Sequence, residues 1–183
     1  VRPHKNHLPQ PSEVVGVSTP DHGLQLEAFH GESNPKAVDT VWPYLSSEDY
    51  HLRYAARIAI EWQDATTWDD KAYNEKNDLT AIHALLGLAR CDHKGSLGPS
   101  IKRLLQVDFN KLDKTGKLAL LRTYSVIMSR GGMPEAAQVE AIGNQLDPQF
   151  PAKDDNLNEE LCRVLCYLQH PSVVTKTIAL MKT

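Results

Sequence analysis

The sequence predicts an all-α chain of about ten helices in five antiparallel pairs, stacked side by side as a solenoid. Three observations predict it. Apolar residues recur at i, i+3, i+4 and i+7 in nearly every segment between breaks. The breaks carry helix punctuation, as at Asn34-Pro35, Gly131-Gly132, Pro134 and Pro171. Helices that are apolar almost all round alternate with more amphipathic ones. A stack needs that asymmetry, because each inner helix touches its own partner and both neighbours. Strand-like alternation is almost absent. A compact orthogonal bundle is the alternative architecture, and the regular inner–outer alternation favours the solenoid.

Residues 1–19 carry Pro3, Pro9 and Pro11, with Val14-Val15-Gly16-Val17 as the sole apolar patch, and read as an extended N-terminal segment. The helical repeat domain then spans 20–183. Ser18 or Thr19 before Pro20 caps a helix over 21–30 that ends at Gly31. Asn34-Pro35 opens a second helix, 34–45, in which Pro43 predicts a kink.

Residues 49–63 organise the rest. Leu52, Ala55, Ala56 and Ala59 form one apolar stripe, and Tyr54, Ile58 and Trp62 a second beside it. Ser46 or Ser47 is the expected cap, with Glu48 and Asp49 in the first turn. Such a helix needs cover on more than one side, and its alanines let neighbours come close. Thr66-Thr67 then caps a helix over 68–75, and Asn77-Asp78 one over 79–90 carrying Ile82, Leu85, Leu86 and Ala89. Residues 97–107 form its partner, and 108–115 read as a loop.

Leu118, Leu121, Ser125 and Met128 mark the next inner helix, ended by Gly131-Gly132. Its partner runs from Pro134 to Leu146, and 147–155 is an extended crossover. Asn156 with Glu159 forms a capping box for the helix carrying Leu161, Val164, Leu165 and Leu168, and Pro171 starts the last helix.

The 183 residues suffice for one domain with one core, and 41% hydrophobic with 23% charged residues is ordinary globular composition. A net charge of −3 and a pI of about 6.2 give no basic footprint for nucleic acid or an anionic membrane. No apolar run reaches transmembrane length, and the first residues lack the apolar core of a signal peptide. Val1 is not an initiator Met, which suits a processed chain or an excised domain.

The run Ser46-Ser47-Glu48-Asp49-Tyr50-His51-Leu52-Arg53-Tyr54-Ala55-Ala56-Arg57-Ile58-Ala59 resembles a HEAT repeat, and His170-Pro171-Ser172-Val173-Val174 is a weaker echo. The resemblance implies a right-handed α-α superhelix. A narrower resemblance covers nearly the whole chain. Trp42-Pro43-Tyr44-Leu45, Arg53-Tyr54-Ala55-Ala56-Arg57, Glu61, Trp68, Leu120-Leu121-Arg122 and Leu157-Asn158-Glu159-Glu160-Leu161-Cys162 together look like the helical middle region of large bacterial proteins of membrane-bound dehydrogenase type. In that family a sorbosone/glucose-dehydrogenase-like β-propeller precedes HEAT-like repeats, and many members end in a c-type cytochrome domain. The resemblance implies an extracytoplasmic, periplasmic home. The chain holds neither Cys-x-x-Cys-His nor a propeller's strands, so only the scaffold carries over, not the redox activity.

No residues assemble into a catalytic, cofactor or metal motif. Asp49 with Arg53, and Arg57 with Glu61, are spaced as an i, i+4 structural ladder, or else Arg53, Arg57 and Glu61 are an exposed ligand line. The eight histidines are scattered, without His-Glu-x-x-His. Of the three cysteines, Cys162 and Cys166 share a helix face without finger spacing and read as small buried residues, and Cys91 is distant in sequence. Trp42 and Trp62 read as packing, while Trp68, Tyr50 and Arg57 are the candidates for partner contact. The expected function is a non-catalytic scaffold for protein or interdomain contacts, with no cofactor, nucleic acid or membrane insertion. The alternative is an accessory domain of a multidomain oxidoreductase.

Overall fold

The computed structural model describes residues 22–182, with side chains from Gly23 onward. The segment predicted to be extended, 1–19, and the cap before Pro20 lie outside the described residues. Within them the chain is all-helical: α1 (His22–Glu27), α2 (Ala37–Val41), α3 (Tyr50–Glu61), α4 (Asp69–Asn74), α5 (Asp78–Arg90), α6 (Leu97–Leu104), α7 (Lys114–Gly131), α8 (Ala136–Leu146), α9 (Asp155–Tyr167) and α10 (Val173–Leu180). Short 3-10 turns occupy Trp42–Ser46, Ala65–Thr67, Phe109–Lys111 and Asp147–Gln149.

Local chemistry sets the ends. Asn77 accepts from the Thr80 amide at 2.9 Å and caps α5, with Asp78 in the first turn and Arg90 in the last to suit the helix dipole. Asp113 caps α7 through the Gly116 amide at 2.7 Å, so α7 begins before the predicted loop ends. It stops at Gly132, whose φ of 86° a residue with a Cβ rarely adopts.

Several expected boundaries move because a nearby aspartate takes the cap. Asp49, not Ser46 or Ser47, caps α3 by accepting from His51 at 2.7 Å. Asp154 caps α9 in place of Asn156, so the capping box with Glu159 is not formed. Asp64 caps a 3-10 turn over the threonines predicted to start α4. The predicted 34–45 helix divides at Trp42, where Pro43 enters the 3-10 turn, and the 147–155 crossover opens with a 3-10 turn instead of extended chain.

The helices α3, α5, α7 and α9 contact one another in that succession, and α10 packs on α9. The segment α2 with its 3-10 turn lies on α3, α4 and α6 lie on α5, α6 also meets α7, and α8 meets both α6 and α9. One cluster of buried apolar side chains runs from Leu26 to Val173. Fully burying each leucine or isoleucine in it contributes about 1.5–3 kcal/mol.

Buried polar groups tie successive pairs. Tyr124 of α7 has no exposed surface and donates to Gln145 Oε1 of α8 at 2.8 Å. Gln145 Nε2 in turn reaches the carbonyls of Leu104 at 3.2 Å and Val107 at 3.0 Å. Arg103 of α6 donates to the Glu75 carbonyl at 2.7 Å and to Asp78 at 2.8 Å, while Glu75 Oε2 accepts from the Trp42 indole at 2.7 Å. Each link meets a donor or acceptor that burial would otherwise leave unpaired.

Candidate functional site

The register of α3 decides which residues reach solvent. Ala55, Ala56, Ala59 and Ile60 turn into the core. Tyr50, Arg53, Tyr54, Arg57 and Glu61 follow the same 3.6-residue period on another face. From Thr80 to Ala89 of α5, only His83 and Leu86 escape full burial, and both point to that face. Arg122, Ala119 and Val126 of α7 complete it. The result is a groove of about 350 Å³ across α3, α5 and α7, lined by Arg53, Arg57, Arg90 and Arg122 with Tyr50 and Tyr54 at its mouth.

The four guanidiniums are unequally satisfied. Arg57 is 8% exposed and pairs with Glu61 one turn on. Arg90 Nε straddles the same carboxylate at 2.9 and 3.0 Å, so Glu61 serves two arginines. Arg53 donates to the carbonyls of Ser47 and, at 3.1 Å, Glu48, and makes no carboxylate pair among the described residues. Arg122 is exposed and makes no ion pair among the described residues. In a chain of net charge −3 this groove is locally positive.

Aromatic rings cover the arginine stems. Tyr50 and Tyr54 stack with centroids 6.1 Å apart. The Arg57 guanidinium lies 5.1 Å from the Tyr54 centroid and that of Arg53 lies 5.9 Å from Tyr50's, both within cation–π range. His83 lines the groove, and its Nε2 is buried with no hydrogen-bond partner among the described residues. Burial, then the charges of Arg53 and Arg57, push its imidazole down to about 4, so it is neutral at pH 7.

These positions correct several expectations. The i, i+4 pair of Arg57 and Glu61 forms, but Asp49 spends its carboxylate on the helix cap and leaves Arg53 to backbone carbonyls. Of the stripe expected to be covered, Tyr54 and Trp62 face outward instead, with Trp62 53% exposed, and Ile58 is half-buried. The alanine face fills the helix contact, and the Arg53 and Arg57 stems bury beside it while their heads find partners. Trp68, a candidate contact residue, is 1% exposed and meets Trp42 edge to face at 6.3 Å, so it is core. Tyr50, at 61% exposure, and Arg57 both line the groove. Arg90, His83 and Arg122 join them from helices that no motif connects. Their only sequence signal is polar residues at one register on helices otherwise apolar.

A second polar cluster joins α8 to α10. Ser172 donates to Asp147, the His170 Nδ1 lies 3.0 Å from the Ser172 hydroxyl, and Lys176 pairs with Asp147 at 2.8 Å. Burial alone would raise the Asp147 carboxyl, but the Lys176 and Ser172 hydrogen bonds and the Lys176 and His170 charges hold it low. The hydroxyl proton is directed at a weakly basic carboxylate, not at the imidazole, so the set is a clasp and lacks nucleophile geometry.

Two of the thiols are held above their ordinary pKa. Cys91 is pushed up to about 11 by burial and then by the Glu61 charge, and its Sγ lies 3.4 Å from the Glu61 carbonyl. Cys162 and Cys166 have sulfurs 3.8 Å apart, and Cys166 is exposed, contrary to the expected burial. Its thiol is raised by burial and by Cys162. Among the described residues no group of three or more His, Cys, Asp or Glu could hold a metal ion, and no helix is long and apolar enough to cross a membrane. No protein-family model, curated protein or solved structure matches the chain.

Proposed function

We propose that this protein is a non-catalytic helical-repeat scaffold of HEAT-like build, a solenoid that presents the α3–α5–α7 face to a protein partner or neighbouring domain. One observation supports it most. Helices separated by one in sequence contact in succession from α3 to α9, and the polar side chains of three of them converge on one groove. In a stack, inner-helix residues at matching registers line one continuous concave surface. The sequence resemblance to the helical region of dehydrogenase-type proteins fits the same role, with the repeat holding other domains at fixed geometry.

The test is site-specific photocrosslinking in the native host. A photoreactive residue replacing exposed Tyr54 should trap one protein species, and the same residue replacing Lys102 on α6 should not. Crosslinks to nucleic acid, or equal trapping from both positions, would overturn the reading. Small-angle scattering tests the shape independently. A compact 183-residue domain has a radius of gyration of about 16 Å, and a solenoid exceeds it.

A further inference from the structure

We infer that the α3–α5–α7 groove binds an acidic segment of a protein, seating a carboxylate on exposed Arg122 beside the Tyr50–Tyr54 pair, in the field of the buried Arg53 and Arg57. This names the partner chemistry for the proposed scaffold and rests on that reading. The lining carries four guanidiniums, of which Arg57 and Arg90 share the Glu61 carboxylate. Among the described residues Arg122 makes no ion pair, and Arg53, itself buried, donates to two backbone carbonyls. Guanidinium forks match carboxylates two bonds at a time.

Two further features point to an occupant. The groove is lined by stacked tyrosines that are 61% and 48% exposed, and exposed rigid aromatics are the kind of residue that anchors interfaces. Its lining also holds the buried His83 Nε2, which has no hydrogen-bond partner among the described residues and lies under the field of Arg53 and Arg57. A bound carboxylate offsets that field. A nucleic-acid backbone fits less well. No lysine lines the groove, only two of its arginines are uncommitted to a carboxylate, and tracking phosphates requires a longer positive path.

The probe is a fluorescent, capped hexaglutamate peptide titrated with the full chain, beside a capped hexaglutamine peptide and an oligothymidylate of equal charge. Hexaglutamate should bind saturably and weaken as salt rises, whereas hexaglutamine should not bind. Arg122→Glu should weaken binding about tenfold or more without moving the melting temperature, because Arg122 is exposed and makes no ion pair among the described residues. Lys102→Glu, the same charge change outside the groove, should leave affinity within about twofold, since screened distant charges act weakly. Saturating peptide should also raise the His83 titration midpoint followed by NMR. Absence of saturable hexaglutamate binding, equal loss in both variants, or tighter binding of oligothymidylate would overturn the inference. The first two results leave the scaffold reading standing, because crosslinking and scattering test that separately.

Discussion

Gly143 of α8 lies against the His170 imidazole so closely that a Cβ at position 143 would stand 2.7 Å from the ring's Cδ2. The ring cannot easily yield, because its Nδ1 is held at Ser172, which is itself bonded to Asp147. Gly143→Ala should therefore cost about 1–3 kcal/mol despite the better helix propensity of alanine. Gly87 of α5 is the contrast, since its added Cβ would meet Ile60 and Trp68 at 3.4 Å, an ordinary contact. Gly87→Ala should be neutral or stabilising by up to about 1 kcal/mol. Urea midpoints of the two variants check both signs.

The two faces of α3 should respond oppositely to mutation. Ala56 is fully buried where neighbouring helices meet, and Ala56→Leu should destabilise by about 1–3 kcal/mol. Trp62 is large but outward-facing, and Trp62→Ser should change stability by less than about 0.5 kcal/mol. Thermal melts followed by circular dichroism separate them.

Tyr124 stays neutral, its phenol raised by burial, and serves Gln145 as a donor. Tyr124→Phe removes that donor and leaves the Gln145 carbonyl oxygen partly buried without it. The expected cost is about 1–3 kcal/mol. Adding Gln145→Leu should cost less than a second full increment, since the two residues share one network. A double-mutant cycle measures the coupling.

Glu75 predicts acid sensitivity. Burial alone would raise its carboxyl, but hydrogen bonds from Trp42, Asn77 and Lys76 and the Arg103 charge hold it below the usual range. The folded pKa is then lower than the unfolded one. Its contribution is complete above the ordinary glutamate value of about 4.3 and is lost as pH falls through the folded value. Arg103→Met should cost about 2–4 kcal/mol at pH 7, because Asp78 and the Glu75 carbonyl lose their partner. It should also shrink the acid loss. Denaturant midpoints between pH 5 and pH 3 are the check.

His83 adds a second window above that one. Its folded pKa of about 4 lies below the ordinary histidine value of about 6.5. Between those values the unfolded chain takes up a proton that the folded chain refuses. Stability should fall as pH drops through the window, by up to about 1.4 kcal/mol per unit. The charges of Arg53 and Arg57 of α3 disfavour its protonation, and Arg90 on its own helix and Arg122 of α7 line the same groove. His83→Gln should flatten the slope between pH 6.5 and pH 4 in stepwise urea titrations.

The sequence by itself determined that the chain is helical and where many helices stop. Asn77 caps and Gly132 terminates by bonds and backbone angles settled within a few residues. The pairing of Arg57 with Glu61 was legible for the same reason, since four residues span one helical turn. Only the tertiary structure decided which stripe of α3 is covered. Its alanine, arginine and aromatic lines all share the helical period, and periodicity does not say which of them a neighbour meets. The structure likewise decided that Trp68 is core while Trp62 is not, and that Arg122 and His83 share a groove with Arg53. Those residues lie tens of positions apart, and what brings them together is the packing of α3 on α5 and of α5 on α7, a contact that no local pattern encodes.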